Sequence, residues 1–243
     1  MDSSSNPVLS DKAMRRLATG VGTDEMTVSG SISKTAISMA ILGFAAIAGW
    51  MALPQFGSAV PWGFIIALLI ITPILGIVTA FRPNAILVMT YAVFEGFLIG
   101  FLSRTFEASY NGIVVQAVLL TFATMLGMLF LYINGTVKVT QKMRSVIMIA
   151  TIGVVIYFLF EFIMALVNPA FVSVLMSGPV GIVIAVIIVG IAALNLLLDF
   201  DFISKGVEHK LPKKSEWYAA FGLMVTLVWL YVSILRLLAA SRR

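Results

Sequence analysis

The sequence predicts an all-α membrane protein with seven spanning helices, on three observations. Hydrophobic residues make up 60% of the 243 and charged residues only 11%, against roughly a quarter charged in a soluble domain. So few charges cannot cover a water-facing surface. Apolar runs of about 20 residues, the length that crosses a bilayer, recur along the chain. Turn-forming residues punctuate these runs at short intervals, which makes consecutive helices antiparallel neighbours.

The first stretch, residues 1–33, is different. It is rich in Ser, Asp, Gly and Thr and reads as a flexible cytoplasmic tail, with a short helical piece around Asp11–Ala18. Its basic cluster, Lys12, Arg15 and Arg16, leads into polar sequence rather than an apolar run with a cleavage site, so it is not a signal peptide.

The membrane domain spans residues 34–243. The expected spans are Lys34–Leu53, Val60–Ala80, Asn84–Ser103, Asn111–Ile133, Arg144–Val167, Gly178–Ile203 and Trp217–Ala240. Pro54 and Pro61 bracket the first loop, Arg82-Pro83-Asn84 makes the second, and Asn168-Pro169 ends the fifth span. Pro73 predicts a kink within the second span, where neighbouring helices must satisfy the freed carbonyl.

Lys and Arg placement sets orientation. With the N-terminus in the cytoplasm, twelve basic residues fall inside: Lys12, Arg15, Arg16, Lys34, Arg82, Lys138, Lys142, Arg144, Lys205, Lys210, Lys213 and Lys214. Four fall outside: Arg104, Arg236, Arg242 and Arg243. The count predicts N-terminus in and C-terminus out. Six full spans with a re-entrant last segment is the alternative, because Arg236, Arg242 and Arg243 cluster at the end.

Function is expected where the membrane accepts a cost. A carboxylate at the bilayer centre costs about 2.5–3.5 kcal/mol on insertion scales. Glu95 lies mid-span, beside a Gly96/Gly100 pair that permits close helix approach. It reads either as a protonated structural acid or as a carboxylate lining a polar path. Glu161, in the outer part of span five, reads first as an interfacial acid. Tyr91-Ala-Val-Phe-Glu95 and Tyr157-Phe-Leu-Phe-Glu161 form a faint internal repeat.

Asp199 and Asp201 close span six. As acids at a helix C-terminus they oppose the dipole; their apolar flanks Phe200, Phe202 and Ile203 suggest a partner, or a helix that continues and draws the acids inward. Asn195, four residues before Asp199, shares its face, whereas Asp201 points elsewhere. Arg82, ending span two on the same side, is the expected ion-pair partner for Asp199. Glu216 precedes span seven beside the interfacial aromatics Trp217 and Tyr218. In the last span Gly222, Thr226, Trp229 and Ser233 share one helical face, read as a packing face. The 204–216 loop, with five residues from Lys, His and Lys types clustered at Lys205, His209, Lys210, Lys213 and Lys214, would lie against anionic lipid; a solvated loop is the other reading.

Absences narrow the chemistry. There is no GxSxG, HExxH or GxxxxGK[ST] motif, and no lysine in the last span for a Schiff base. There are no cysteines, hence no disulfide or thiolate metal site. The expectation is a non-enzyme without a resident cofactor. The +5 net charge is spent on orientation and implies no nucleic-acid partner.

The segment Tyr91-Ala-Val-Phe-Glu95-Gly96-Phe-Leu-Ile-Gly100 resembles the Glu-Gly motif of the Bax inhibitor-1 family. Leu-Leu-Leu-Asp199-Phe-Asp201-Phe-Ile, the short basic loop, and a last helix ending Leu-Tyr-Val-Ser-Ile-Leu-Arg-Leu-Leu are also similar to that family. The resemblance covers roughly residues 34–238 and is to a bacterial-type member, which implies a plasma-membrane location. It implies seven helices with the last central, and a calcium-permeable leak gated by pH through aspartates on helices six and seven. It further implies an arginine on helix two that latches to the helix-six aspartate. Carried over, Asp199 or Asp201 is the helix-six acid and Arg82 the latch. Asp199 and Asp201, with Asn195 and backbone oxygens, would form a weak calcium site suited to passage.

This chain departs from the pattern at one point. The family's aspartate on the last helix falls near Thr226, and span seven holds no acid. The sensor is then either rebuilt from Glu216 with Asp199 or Asp201, or missing. Three functions stay open: a calcium or other cation leak, a proton-linked transporter using Glu95 and Asp199, and a non-transporting regulator of another membrane protein, such as a protease or stress factor.

Overall fold

The computed structural model describes residues 24–55, 62–168 and 178–242. The expected helical piece at residues 11–18, and Pro61 and Pro169, lie outside them. The described residues form seven helices: α1 Val28–Gln55, α2 Trp62–Phe81, α3 Ala85–Ser109, α4 Ile113–Ile133, α5 Gln141–Val167, α6 Gly178–Glu208 and α7 Ser215–Ser241. All seven are long and apolar enough to cross a bilayer. Large apolar side chains face outward along them, among them Phe44 at 74% exposure, Phe81 at 83% and Leu166 at 73%. A surface this apolar is covered by lipid, so the protein is an integral, multi-pass membrane protein.

α7 differs from the others. In its apolar window 61% of residues are buried, against at most 33% in any other helix. Its face Leu223, Leu227, Leu230 and Ile234 is buried at the spacing of a helix that packs on its neighbours rather than on lipid.

Three boundaries move, the first because α3 runs on past the expected Ser103 to Ser109. The tail expected to reach residue 33 ends earlier. Thr27 caps α1, its hydroxyl oxygen accepting from the Gly30 N–H at 2.9 Å, so the helix starts at Val28. Span six does not end at Ile203. α6 runs on to Glu208, which places Asp199 and Asp201 inside a helix, not at its C-terminus. The 204–216 segment is consequently only in part a loop.

The chain divides into two compact units, Met1–Thr105 with Phe202–Met224, and Phe106–Asp201 with Val225–Arg243. In the first unit, α3 packs on α1 through glycine. A Cβ at Gly96 would collide with the Leu42 carbonyl, and one at Gly100 with the Ala46 carbonyl. The close approach expected of this pair is therefore made against α1. At Gly76 of α2 a Cβ would stand 3.2 Å from the Tyr91 ring, and Tyr91 meets Phe221 of α7 edge-on at 5.1 Å. In the second unit, α4 begins after Gly112, whose φ of 76° is open to glycine at little cost. Glu107 accepts from the Gly112 and Val114 N–H groups at 2.6 and 3.1 Å, satisfying the start of α4.

Candidate functional site

In the first unit the polar residues close on one another. Glu216, in the first turn of α7, is fully buried. Its Oε1 accepts from the Thr27 N–H at 2.9 Å and the Thr27 hydroxyl at 3.0 Å. Its Oε2 takes the Lys34 ammonium, which also lies 5.5 Å over the Trp217 ring. The carboxylate thus sits at the N-termini of both α1 and α7, where two helix dipoles favour negative charge. Residue 30 is glycine because a Cβ there would overlap the Glu216 carboxylate.

The chain before α1 joins the same assembly. The Met26 N–H donates to the Leu211 carbonyl and the Lys213 N–H to the Asp24 carbonyl, at 2.6 and 2.9 Å. Met26 is buried against Gly206 of α6. Two exposed ion pairs, Lys210–Glu25 at 3.1 Å and Lys213–Asp24 at 2.9 Å, complete a clasp between residues 24–27 and the α6–α7 connection. The neighbouring Asp24 carboxylate pushes the Lys213 ammonium above the usual lysine range. His209 is exposed. Glu216 was one expected half of a rebuilt acid pair. The structure instead commits both its oxygens to α1.

Glu95, one turn after Tyr91 on α3, is hydrogen-bonded to the Tyr91 hydroxyl. Its partner is on its own helix. Arg82 is exposed at the end of the second span.

The second unit holds a different arrangement, a column of polar groups shared by α5, α6 and α7. Arg144, in the first turn of α5, donates to Asp201 Oδ2 at 2.5 Å, with side chains 11% and 8% exposed. Thr140 caps that turn, accepting from the Met143 N–H, which holds Arg144 at the helix entrance. Asp199 is hydrogen-bonded to Thr226 of α7, while its Oδ2 is buried and without a partner. One turn earlier, Asn195 donates from Nδ2 to the Thr151 hydroxyl of α5 and to the Ile191 carbonyl, both at 2.9 Å. Farther along, Arg236 of α7 donates to both oxygens of Glu161 at 3.2 Å and stacks 5.1 Å over Phe158.

Three expectations meet the structure here. Asp199 and Asp201 point to different helices, as the helical repeat requires, and Asp201 is taken by an arginine. The two acids have different partners, and no group of three or more His, Cys, Asp or Glu side chains gathers among the described residues. Within this unit the arginine on an acid of α6 is Arg144. Arg144 was legible only as a basic residue at the edge of a span. The interfacial acid Glu161 has a partner as well, Arg236.

Thr226, near which the resemblance places the family's acid, is the α7 side chain that meets Asp199. The geometry of a helix-six acid facing helix seven is thus present with one carboxylate instead of two. No curated protein matches the chain significantly. A family described as Bax inhibitor 1 like matches residues 6–243; with a match over nearly the whole chain, seven membrane helices and this α6–α7 contact, the protein belongs to the Bax inhibitor-1-like family.

Proposed function

We propose that this protein is a pH-sensitive cation leak, with calcium as the ion carried, and that Asp199 is its responsive group. One observation carries this reading: a carboxylate within a membrane helix, held by a single threonine, with its second oxygen sealed from solvent and unpartnered. Membrane proteins retain such a group at a cost, and transport paths are where they retain it.

The column supplies the elements of a gate. Arg144 holds α5 to α6 through Asp201. Asp199, two residues away, adds a second negative charge to the field around Arg144. Protonation of Asp199 as pH falls removes that charge and weakens the hold, so flux rises as the cytoplasmic side acidifies. Along the path, Asn195, Thr226 and helix carbonyls offer the neutral oxygens that a passing cation needs, few enough to bind it weakly. The positive-inside count places the N-terminus, Arg82, Arg144 and the α6–α7 connection in the cytoplasm. There Lys214, the exposed lysine of residues 204–216 not engaged with Asp24 or Glu25, faces anionic lipid.

A second reading is a non-transporting regulator docked on another membrane protein. Thr226 favours it, because the second carboxylate of the family pattern is missing. Calcium entry into liposomes carrying the purified protein separates the two. Flux above protein-free liposomes that rises with acidification supports the leak. Flux at the protein-free level at every pH transfers the case to the regulator.

A further inference from the structure

Four buried side-chain polar atoms lack a hydrogen-bond partner among the described residues, and two of them belong to the second unit: Asp199 Oδ2 and Trp229 Nε1. They are complementary. The carboxylate oxygen only accepts, and the indole N–H only donates. Each left alone in a dry interior loses the full cost of its desolvation.

Helix register brings them to one place. Thr226 and Trp229 are three residues apart on α7 and share a face. Asp199 of α6 meets that face at Thr226. α6 and α7, joined by the six residues 209–214, run antiparallel. Side chains on a helix lean toward its N-terminus. Asp199 therefore leans along α6 toward Asn195, and Trp229 leans back along α7 toward Thr226. In antiparallel helices these two directions converge.

We propose that one ordered water molecule occupies this position, accepting from the Trp229 indole N–H and donating to Asp199 Oδ2. The Thr226 oxygen is within reach as a third contact, and buried waters make about three hydrogen bonds. The choice of occupant follows from the lining. An inorganic cation is opposed by the N–H, and an anion by the carboxylate. Water satisfies both. Trp229 then becomes a positioning residue for the proton of Asp199, and the bridge supplies the first step of the route by which that proton comes and goes.

Charged and titratable groups of the neighbouring helices have contacts of their own. Tyr132 of α4 stacks on Phe200 at 6.0 Å. Arg144 of α5 is on Asp201. Arg236 of α7 is on Glu161. The role in gating rests on the leak reading; the bridge itself does not.

The test is infrared difference spectroscopy between acid and alkaline pH on the full-length protein in liposomes. Spectra are taken in ordinary and ¹⁸O-labelled water for wild type, Asp199→Asn and Trp229→Phe. The carboxyl band lost in Asp199→Asn belongs to Asp199. The bridge predicts an isotope-sensitive water O–H band in wild type that vanishes in Asp199→Asn. It also predicts a shifted Asp199 carboxyl band in Trp229→Phe, which keeps a ring but removes the N–H. No isotope-sensitive band linked to Asp199, or a carboxyl band identical in Trp229→Phe, overturns it. If Trp229→Phe does not fold, the isotope comparison between wild type and Asp199→Asn decides alone. Liposomes without flux that still show the linked water band contradict the leak and leave the bridge standing.

Discussion

Glu216 and Asp199 are both acids within apolar helices, and the molecule treats them in opposite ways. Glu216 is given a cation, an amide, a hydroxyl and two helix N-termini. Asp199 is given one threonine and left with a bare oxygen. A fully partnered buried acid has little freedom to change its charge without breaking the structure around it. An under-partnered one can exchange a proton while its helix stays in place. The contrast separates an acid that builds the fold from one that responds to its surroundings.

The largest effect is expected at the clasp. Glu216→Ala leaves Lys34 and the Thr27 N–H without their partner. Removing one member of a buried ion pair costs about 3–5 kcal/mol, so the variant should melt far below wild type or fail to accumulate in the membrane. A Glu216→Ala protein with wild-type melting would mean that the clasp contributes nothing, and the contrast would fail on that side.

Next is Arg144→Ala. It removes the arginine from a buried ion pair, so some loss of thermal stability is expected, smaller than at Glu216, which loses more partners. Calcium flux should rise at neutral pH, because the hold between α5 and α6 is gone. Flux unchanged at every pH would remove this pair from the gate.

Gly100→Ala probes packing alone. The new methyl must displace the Ala46 carbonyl of α1, and overpacking of this kind costs about 1–3 kcal/mol. A melting shift with an unaltered pH profile of flux is the expected result. A changed profile would tie the α1–α3 contact to gating.

The smallest effect is at Lys213. Its ammonium, favoured by Asp24, is raised above its ordinary value. Its contribution is complete below the unfolded lysine value of 10.5 and is lost as pH climbs through the higher folded value. Both groups are exposed, so the contribution is slight. Alkaline melting curves of wild type and Asp24→Asn should converge at the highest pH and separate by a small margin below it.

The spans were legible because crossing a bilayer demands about 20 apolar residues wherever they fall. Chain-local signals also marked Asn168 as the end of α5, and Gly96 with Gly100 as a close contact. What escaped was long-range. Thr27 meets Glu216 across 189 positions, and no local pattern announces that residues 24–27 are pinned and not part of a free tail. The end of α6 was legible only as an alternative, because Asp199 and Asp201 look like a polar stop while Phe200, Phe202 and Ile203 around them, which are buried, argue for a helix that continues. Arg82 and Arg144 were both readable as basic residues at helix ends on one side. Sequence places such residues at a depth but not at an angle around the bundle, and the angle is what selects the partner of Asp201. The family resemblance carried one piece of long-range information that periodicity lacks, since it aligned Thr226 with the residue that faces helix six.

The most direct test of the separation is calcium flux into liposomes for wild type and Asp199→Asn over a range from acid to slightly alkaline pH. The amide cannot change charge and stands for the protonated acid. Wild-type flux should climb on acidification, and Asp199→Asn flux should be high and nearly flat with pH, in a protein that melts like wild type. An Asp199→Asn protein that keeps the wild-type pH profile would contradict the separation.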